Sequence, residues 1–246
     1  MERNVILITG ATSGIGMATT ETLLNEGYII YALGRDTLKL QNKFGTEFQN
    51  ELRCYSSDLR NISDLEGLFN TFTANGEKLT GMVLCAGIEE TIPLVLYTSD
   101  KIKNIFDVNV FASIELIRIF SKKKHSEDMS SIVLLSSVMG ILGQSGKVGY
   151  CASKAALLGL VKSSALELAK RKIRVNAILP GIVNTPMSER LFTDLDELNI
   201  SRIKEMHPLG FGEVSDIVPA IKFLLSDDSR WMTGQNLIID GGYSIS

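Results

Sequence analysis

Short runs of apolar, often β-branched residues alternate along the chain with longer segments in which apolar residues recur at helical spacing. Runs such as VILIT are apolar at every position rather than at alternate positions, which is typical of strands covered on both faces. The runs that predict strands are Val5–Thr9, Tyr28–Leu33, Leu52–Tyr55, Met82–Leu84, Ser131–Ser136, Ile173–Leu179 and Asn236–Ile239. Helical spacing is clearest over Ile62–Thr73, Ile102–Phe120 and Tyr150–Ala169.

The alternation of strands and helices predicts an α/β fold, a doubly wound parallel sheet with helices on both faces. No Pro-, Ser- or Gly-rich linker, charge block or internal repeat divides the chain, so we expect a single domain spanning residues 1–246. Ligands of such folds bind beyond the carboxyl ends of the strands. The residues that follow each strand are therefore the candidate site residues.

Composition narrows the functional classes. Of the 246 residues, 45% are apolar, and the net charge of −3 with a pI of about 5.5 makes nucleic acid an unexpected partner. No segment reaches the ~18 to 20 apolar residues that span a bilayer, and the N-terminus lacks the features of a secretory signal. The three cysteines show neither metal nor disulfide spacing. We therefore expect a cytoplasmic protein with reduced thiols, no metal and no membrane contact.

A glycine-rich turn follows the first strand. In TGATSGIGMA, Gly10, Gly14 and Gly16 precede a helix that is predicted to begin near Ile15. Glycines at such a turn permit close approach of the backbone to a pyrophosphate, which then lies at the positive end of the helix. The G-x-x-x-G-x-G spacing differs from the common G-x-G-x-x-G pattern, and a turn without a ligand is the alternative interpretation.

The end of the second strand bears on the choice of nucleotide. An acidic residue there selects NAD, whereas a small residue followed by arginine accommodates the 2′-phosphate of NADP. Gly34 and Arg35 therefore favour NADP(H). Asp36 keeps NAD(H) open, unless its role is only to cap the next helix.

Two further strand ends supply candidates. Asp58, after the third strand, could bond the adenine edge, or it could be an ordinary loop acid or cap. Ala86 and Gly87, after the fourth strand, are small enough to let the backbone pass beside a ribose.

A tyrosine and a lysine stand four positions apart in VGYCASKAALLGL. On a helix, Tyr150 and Lys154 would lie on the same face, and a nearby cation favours the phenolate of a tyrosine whose ordinary pKa is about 10. The pair is therefore a candidate for proton exchange at neutral pH. An aromatic side chain beside a solvated lysine is the alternative.

Together with further motifs along the chain, these residues make nearly the whole chain resemble the short-chain dehydrogenase/reductase family. The matching motifs, in order, are TGATSGIG, LCAG, NV at Asn109, SS at Ser136–Ser137, YCASK, PGIVNTPM and MTGQNLIIDGG. The resemblance implies a Rossmann-type sheet of seven parallel strands and hydride transfer with a nicotinamide cofactor. It also implies a homotetramer or homodimer built through the helices on either side of the catalytic serine.

The resemblance further implies roles for individual residues. Ser137 would hold the substrate oxygen, and Tyr150 would donate or accept its proton. Lys154 would lower the pKa of the tyrosine with help from the positive charge of the oxidised nicotinamide, and it would bond the nicotinamide ribose. Asn109 would organise a water that leads protons to that lysine. Ser136 is expected to satisfy backbone at the strand end. The implied cofactor-binding residues are Gly10, Thr12, Ser13, Gly14, Ile15, Gly16, Gly34, Arg35, Asp58, Leu59, Ala86, Gly87, Tyr150, Lys154, Pro180, Gly181, Val183 and Thr185.

Residues 187–212 are expected to cover the substrate, since this insertion does so in the family. Candidate apolar lining residues, each of which could instead be the buried side of a helix, are Met187, Leu191, Phe192, Leu195 and Met206. His207 is expected to pack against this segment, and His125 is expected to be a solvated loop residue. The chain departs from the family at Cys85, where asparagine is usual, which puts local rigidity in doubt.

Within the family the chain most resembles bacterial 3-oxoacyl-[acyl-carrier-protein] reductases, which implies NADPH-dependent reduction of a 3-oxoacyl thioester or a related ketone. The acyl carrier protein would dock on basic residues, for which Lys122–Lys124 and Arg171 are candidates, although Glu127 and Asp128 lie nearby. Two alternatives remain. One is an NAD-dependent dehydrogenase of a sugar or small secondary alcohol, and the other is a non-catalytic NADP-sensing regulator.

Overall fold

The computed structural model describes residues 4–44, 47–193 and 196–246. Its sheet has seven strands, all parallel, in the order β3-β2-β1-β4-β5-β6-β7. The strands are β1 Val5–Thr9, β2 Ile29–Gly34, β3 Leu52–Ser56, β4 Leu79–Leu84, β5 Ser126–Leu135, β6 Arg174–Pro180 and β7 Asn236–Ile239. The predicted α/β class and the doubly wound parallel sheet are confirmed.

Helices cover both faces of the sheet. They are α1 Gly14–Asn25, α2 Leu38–Phe44, α3 Leu65–Phe72, α4 Ser99–Phe106, α5 Ala112–Phe120, α6 Val148–Leu168, α7 Pro186–Phe192, α8 Glu197–Glu205 and α9 Val214–Leu225. One core cluster includes residues of α3, α5 and α6, and the other includes residues of α1, α2 and α9. The two clusters place three helices against each face.

Strand β1 shows why its sequence is apolar throughout. Leu7 packs into one core cluster, whereas its neighbours Ile6 and Ile8 pack into the other. Successive side chains of a strand point to opposite faces, so a strand covered on both sides must be apolar at consecutive positions. Burial of each such side chain stabilises the fold by about 1.5–3 kcal/mol.

His125 is fully buried, and the prediction of a solvated loop residue is wrong. Strand β5 begins at Ser126, five residues before the predicted start, so the chain turns under α3 immediately before it. The imidazole Nδ1 lies 3.1 Å from Oγ1 of Thr73, and the ring packs edge-on against Phe69 with centroids 5.5 Å apart. Burial lowers the pKa of His125.

The basic residues considered for carrier docking make contacts within the fold. The Arg171 guanidinium donates to Oδ1 of Asp128 at 2.7 Å and to the carbonyl of Ser126 at 2.7 Å, and its side chain is only 14% exposed. Lys122 pairs with Glu66. These contacts favour a structural role for Arg171, which ties the loop after α5 to the start of β5.

Candidate active site

The glycine-rich turn lies at the carboxyl edge of the sheet, between β1 and α1. Gly10 has φ +65°, a left-handed conformation that favours glycine, and a Cβ there would lie 2.8 Å from the amide nitrogen of Ala86. A Cβ on Gly16 would overlap the carbonyl oxygen of Gly10. The turn is therefore a cradle in which backbone replaces side chains, and α1 begins at Gly14 with its first N–H groups directed outward.

A cavity of about 410 Å³ opens beside this turn. It brings together the predicted residues Thr12, Ser13, Gly14 and Thr185, although the last lies far along the chain. The other lining residues are Met17, Ala18, Glu21, Lys39, Lys43, Asn184, Pro186 and Val214. The helix N-terminus fits the phosphates of a dinucleotide, whereas the two lysines are paired, Lys43 with Glu21 at 2.6 Å and Lys39 with Asp36 at 3.8 Å.

The end of β2 meets the turn directly. A Cβ on Gly34 would overlap the side chain of Thr12, so the small residue is required for this approach. Arg35 follows with its side chain exposed. Asp36 does not cap α2, because that helix begins at Leu38; its carboxylate instead lies 3.8 Å from the ammonium of Lys39.

Asp58 is held by a residue that the sequence analysis did not single out. Its carboxylate accepts hydrogen bonds from the side chain and the backbone N–H of Arg60, and these bonds lower the pKa of Asp58 to about 2. The spacing Asp-x-Arg could have indicated this pair. Leu59, between them, is buried in the core, so only the two polar side chains face the edge of the sheet.

The end of β4 approaches the proposed catalytic groups. A Cβ on Gly87 would lie 3.3 Å from Oδ1 of Asn109 and 3.4 Å from Nζ of Lys154. The Ala86 amide donates to Oγ1 of Thr9 at 3.2 Å. Cys85 replaces the usual asparagine, and its burial raises its thiol pKa to about 12, although Lys154 opposes this shift. The thiol is therefore uncharged at neutral pH.

Asn109 lies in a π-helical turn, Asp107–Phe111, that joins α4 to α5. The sequence predicted one continuous helix here. The side chain is buried and bridges two elements: its Oδ1 accepts from the Ile88 amide at 2.9 Å, and its Nδ2 donates to the Ile88 carbonyl at 3.0 Å and to Oγ of Ser153 at 3.0 Å. Asn109 thus fixes the loop after β4 against α6.

Tyr150, Lys154 and Ser137 converge at this edge of the sheet. The Lys154 ammonium donates to the Leu135 carbonyl at 2.8 Å and lies 5.7 Å from the centre of the Tyr150 ring. The Ser137 hydroxyl lies near enough to the Tyr150 hydroxyl to lower the pKa of the phenol, and it also accepts from the Met139 amide at 3.2 Å. Ser136, in contrast, donates to the backbone carbonyl of Lys154 at 2.9 Å, in the structural role expected for it.

Burial is the largest influence on the pKa values of Tyr150 and Lys154. Burial raises the pKa of Tyr150 to about 12, and the Ser137 hydroxyl only partly opposes it. Burial likewise lowers the pKa of Lys154 to about 8. The lowering of this pKa by Lys154 together with the charge of the oxidised nicotinamide stays a prediction, since burial is the largest influence on the cofactor-free phenol. A phenol in this state is a proton donor at neutral pH.

The end of β6 supplies the last predicted binding residues. A Cβ on Gly181 would lie 2.9 Å from Cα of Asp240, so Pro180 and Gly181 pass close to the segment after β7. Val183 is buried and bridges to Gly212. Thr185 caps α7 and shares the cavity beside the glycine-rich turn.

Two helices, α7 and α8, occupy the predicted cover. Phe192 stacks on Phe211 with ring centroids 5.2 Å apart, whereas Met206 is 48% exposed and Leu195 lies outside the described residues. Met187 and Leu191 are partly buried. His207 packs as expected: its Nδ1 lies 2.8 Å from the Ile203 carbonyl in α8, and its ring stacks on Tyr243.

An ion pair beside Tyr150 was not predicted from the sequence. Lys147, three residues before the tyrosine, is buried and pairs with Glu89 in the loop after β4. Their separation of 58 residues left no local signal for the contact. Elsewhere, the described residues contain no group of three or more His, Cys, Asp or Glu side chains that could hold a metal ion, and none of their helices is long and apolar enough to cross a membrane.

Comparisons with known proteins agree with this arrangement. A family model described as enoyl-(acyl carrier protein) reductase matches residues 10–244. The 3-oxoacyl-[acyl-carrier-protein] reductase FabG of Thermotoga maritima is 34% identical over 248 residues, which cover 100% of this chain and 99% of the relative. A 3-oxoacyl-[acyl-carrier-protein] reductase of Bos taurus is 30% identical over 243 residues, with 98% of each chain covered.

Solved structures are similar over the same extent. A 4-hydroxyisoleucine dehydrogenase mutant complexed with NADH and succinate superposes with a TM-score of 0.92 at 33% identity and 99% coverage of each chain. ElxO with NADP bound superposes with a TM-score of 0.86 at 25% identity, also with 99% coverage of each. Nicotinamide dinucleotides of both kinds are therefore found on this fold.

Proposed function

Because the chain belongs to the short-chain dehydrogenase/reductase family, we propose that Tyr150 protonates the oxygen of a ketone that is reduced to a secondary alcohol. Membership makes the protein an oxidoreductase that acts on CH–OH or carbonyl groups with a nicotinamide cofactor. The observation that carries the assignment to Tyr150 is the position of the Lys154 ammonium, 5.7 Å from the centre of its ring and one helical turn away, with the Ser137 hydroxyl near enough to lower the pKa of the phenol.

The residues divide the work as follows. The nicotinamide, when bound, supplies the hydride. Ser137 and Tyr150 hold the carbonyl oxygen with two hydroxyl groups, and this polarises the carbon. Tyr150 then gives its proton to the developing alkoxide, which a neutral phenol can do throughout the physiological pH range. Lys154, fixed by the Leu135 carbonyl, would donate to the nicotinamide ribose; the bond to Leu135 supports this proposal because it holds the ammonium in one position.

For the cofactor we propose NADP(H), with NAD(H) as the second candidate. Gly34 lets Thr12 approach the end of β2, and the exposed Arg35 beside it offers a guanidinium to a 2′-phosphate. The other predicted cofactor contacts, among them Ile15, Leu59, Val183 and Thr185, are proposed from the resemblance to the family.

3-Oxoacyl thioesters are the first substrate class to test, since relatives named for that reaction cover the whole chain. A carrier protein, if it is the acyl donor, would have to dock away from Arg171 and Lys122, whose charges are paired within the fold. The segment 187–212 is proposed to cover the substrate.

The second candidate function is oxidation of a small secondary alcohol with NAD, favoured by the similarity to the 4-hydroxyisoleucine dehydrogenase structures with NADH. A regulator without turnover is disfavoured because Ser137, Tyr150 and Lys154 lie together.

Exposed apolar side chains support a homodimer or homotetramer. They lie on the helices that flank the site, at Ile102, Phe111, Ile114 and Leu166. A monomer rarely exposes so many large apolar groups on adjoining helices. Light scattering of the purified protein measures the assembly directly.

The reaction is tested by following NADPH absorbance with acetoacetyl thioesters, simple ketones and sugar ketones, and by repeating the series with NADH. We expect NADPH-dependent reduction of at least one class. Bound NADPH without turnover of any carbonyl compound, or of any secondary alcohol with NADP or NAD, would contradict the proposal and favour the regulator.

A further inference from the structure

A cluster of charged and polar side chains forms one wall of the site, and neither the proposed reaction nor the cofactor uses it. The Lys147 ammonium pairs with Glu89 and donates to Oγ1 of Thr91 at 2.9 Å. Thr91 in turn donates to Oε1 of Glu89 at 2.8 Å. The side chain of Lys147 is only 5% exposed and that of Glu89 is 14% exposed. We call these residues, together with Glu90, the polar wall.

The backbone around the polar wall is held in place. The Ile92 amide donates to the carbonyl of Gly146 at 2.7 Å, which ties the loop after β4 to the segment before α6. A Cβ on Gly149 would overlap the hydroxyl of Tyr97, so the first turn of α6 packs directly on the far end of the same loop. The polar wall is therefore built by packing and does not depend on a chance meeting of two surface chains.

The polar wall lies next to the proposed proton donor. The Lys147 ammonium is 5.9 Å from the centre of the Tyr150 ring. The Glu89 carboxylate raises the pKa of Tyr150 as well, by a smaller amount than burial does, so its charge lies within electrostatic reach of the phenol. The polar wall is therefore close to the position that a carbonyl oxygen bound by Tyr150 would take.

The polar wall has unused hydrogen-bonding capacity. Among the residues that the structure describes, none donates to Oε2 of Glu90, although this oxygen is buried. An ammonium group carries three N–H donors, so Lys147 can donate once more beyond Glu89 and Thr91. A buried carboxylate oxygen without a donor is unfavourable, and in native proteins such an atom calls for an explanation in a ligand or a water.

We propose that the polar wall recognises a hydrogen-bond donor, a hydroxyl or ammonium group, that the substrate carries close to its reacting carbon. This inference rests on the proposed reaction at Tyr150 and specifies its substrate class. By its chemistry a hydroxyl group can donate to Glu90 or accept from Lys147, and an ammonium group can donate to Glu90. The physiological substrate is then a small polar ketone or alcohol, such as a sugar-like or amino-acid-like compound.

A simple 3-oxoacyl thioester fits the polar wall less well. Near its ketone it offers only carbonyl acceptors and an alkyl chain, so it could accept from Lys147 but would leave Glu90 without a donor. A site built to bond a hydroxyl group rejects the analogue that lacks it, because the polar groups of the protein are then buried without partners.

The inference is tested with a matched pair of ketones, hydroxyacetone and butan-2-one, which differ by a hydroxyl in place of a methyl group. Aminoacetone supplies the ammonium arm, and the acetoacetyl thioester of N-acetylcysteamine supplies the acyl arm. The kcat/KM of the full-length protein with NADPH is measured for each compound. The variants are Glu90→Gln and Lys147→Met. The controls are Glu167→Gln and Lys162→Met, which change exposed side chains on α6.

We expect wild-type kcat/KM to be at least about tenfold higher for hydroxyacetone, aminoacetone or both than for butan-2-one. Glu90→Gln should abolish most of this preference, largely through KM, while NADPH affinity and Tm stay near wild type. Lys147→Met should reduce the preference for hydroxyacetone. The controls should keep it. A higher value for hydroxyacetone alone identifies a hydroxyl, and a higher value for aminoacetone alone identifies an ammonium group.

Two results would overturn the inference while leaving the reaction intact. In the first, neither hydroxyacetone nor aminoacetone has a higher kcat/KM than butan-2-one. In the second, such a preference exists and Glu90→Gln leaves it unchanged. A wild-type protein that reduces none of these compounds bears on the proposed reaction, which the wider series of ketones and alcohols decides. In that case recognition is measured alone, as the difference in Tm that hydroxyacetone and butan-2-one produce with NADPH present. An equal effect of the two ketones on Tm then overturns it.

Discussion

Lys154 holds its ammonium group 5.7 Å from the centre of the Tyr150 ring, one helical turn further along α6. Lys154 is buried and Tyr150 is partly buried, and loss of solvent shifts their pKa values in opposite directions, upward to about 12 for the phenol and downward to about 8 for the ammonium. Each shift favours the uncharged group. The site therefore disfavours charge on both residues, and the stability of the fold must depend on pH through them.

The first prediction concerns Lys154 and the free energy of unfolding. A lysine whose pKa is about 8 in the folded state and 10.5 when unfolded binds fewer protons when folded between these values, so stability rises with pH across that window. The free energy of unfolding is measured with urea for the cofactor-free wild type and for Lys154→Met. The difference between the two should change by roughly 2 kcal/mol in favour of wild type between about pH 7 and about pH 9.5. A difference that is constant with pH contradicts the shift. Lys162→Met, exposed on the same helix, should show no such trend.

The second prediction concerns Ser137 and alcohol oxidation. This direction needs the phenolate of Tyr150, whose pKa the Ser137 hydroxyl lowers. In Ser137→Ala the midpoint of the pH–rate profile should therefore move upward by roughly 0.7 unit, the equivalent of about 1 kcal/mol for one hydrogen bond. Ser136→Ala is the matched control, because its hydroxyl bonds the Lys154 carbonyl and not the phenol. Equal effects of the two changes would show that Ser137 does not act on the tyrosine.

The third prediction concerns the nucleotide. Arg35→Ala removes the guanidinium proposed to bond the 2′-phosphate, so the Kd of NADPH should rise at least about tenfold, as expected for a charge-assisted hydrogen bond, while that of NADH changes little. Fluorescence titration measures both constants, with Lys101→Ala on the exposed surface of α4 as the control. Tighter binding of NADH than of NADPH by wild type would reverse the proposed preference.

The fourth prediction compares two glycines in helices. A Cβ on Gly16 would overlap the Gly10 carbonyl, so Gly16→Ala should destabilise the fold by about 1–3 kcal/mol and weaken nucleotide binding. A Cβ on Gly159, within α6, meets no atom within 4 Å, so Gly159→Ala should stabilise by about 0.5–1 kcal/mol. Thermal unfolding with and without NADPH measures both effects. A harmless Gly16→Ala would remove the close approach as the reason for that glycine.

The sequence predicts those parts of the molecule that depend on local pattern. The strand cores and the glycine-rich turn follow from runs such as VILIT and TGATSGIG, in which each residue's environment is set by its neighbours. The start of β5 is missed because Glu127, Asp128 and Met129 are exposed there and carry no apolar signal. The same error made His125 a solvated residue.

Contacts between distant segments are the part that pattern cannot supply. The pairing of Lys147 with Glu89 joins loops 58 residues apart, and neither loop has a periodic signal. The high pKa of Tyr150 in the cofactor-free chain comes from burial, which the spacing to Lys154 does not reveal. Burial, which depends on the whole fold, decides the sign.

The most direct measurement is the turnover of Tyr150→Phe with NADPH and the best carbonyl substrate of the wild-type protein. Removal of the hydroxyl removes the proposed proton donor and leaves the ring in place, so kcat should fall by about 10²–10⁴ while the Kd of NADPH stays within about twofold. Turnover at the wild-type rate by this variant would contradict the central claim, because the proton would then have to come from another group.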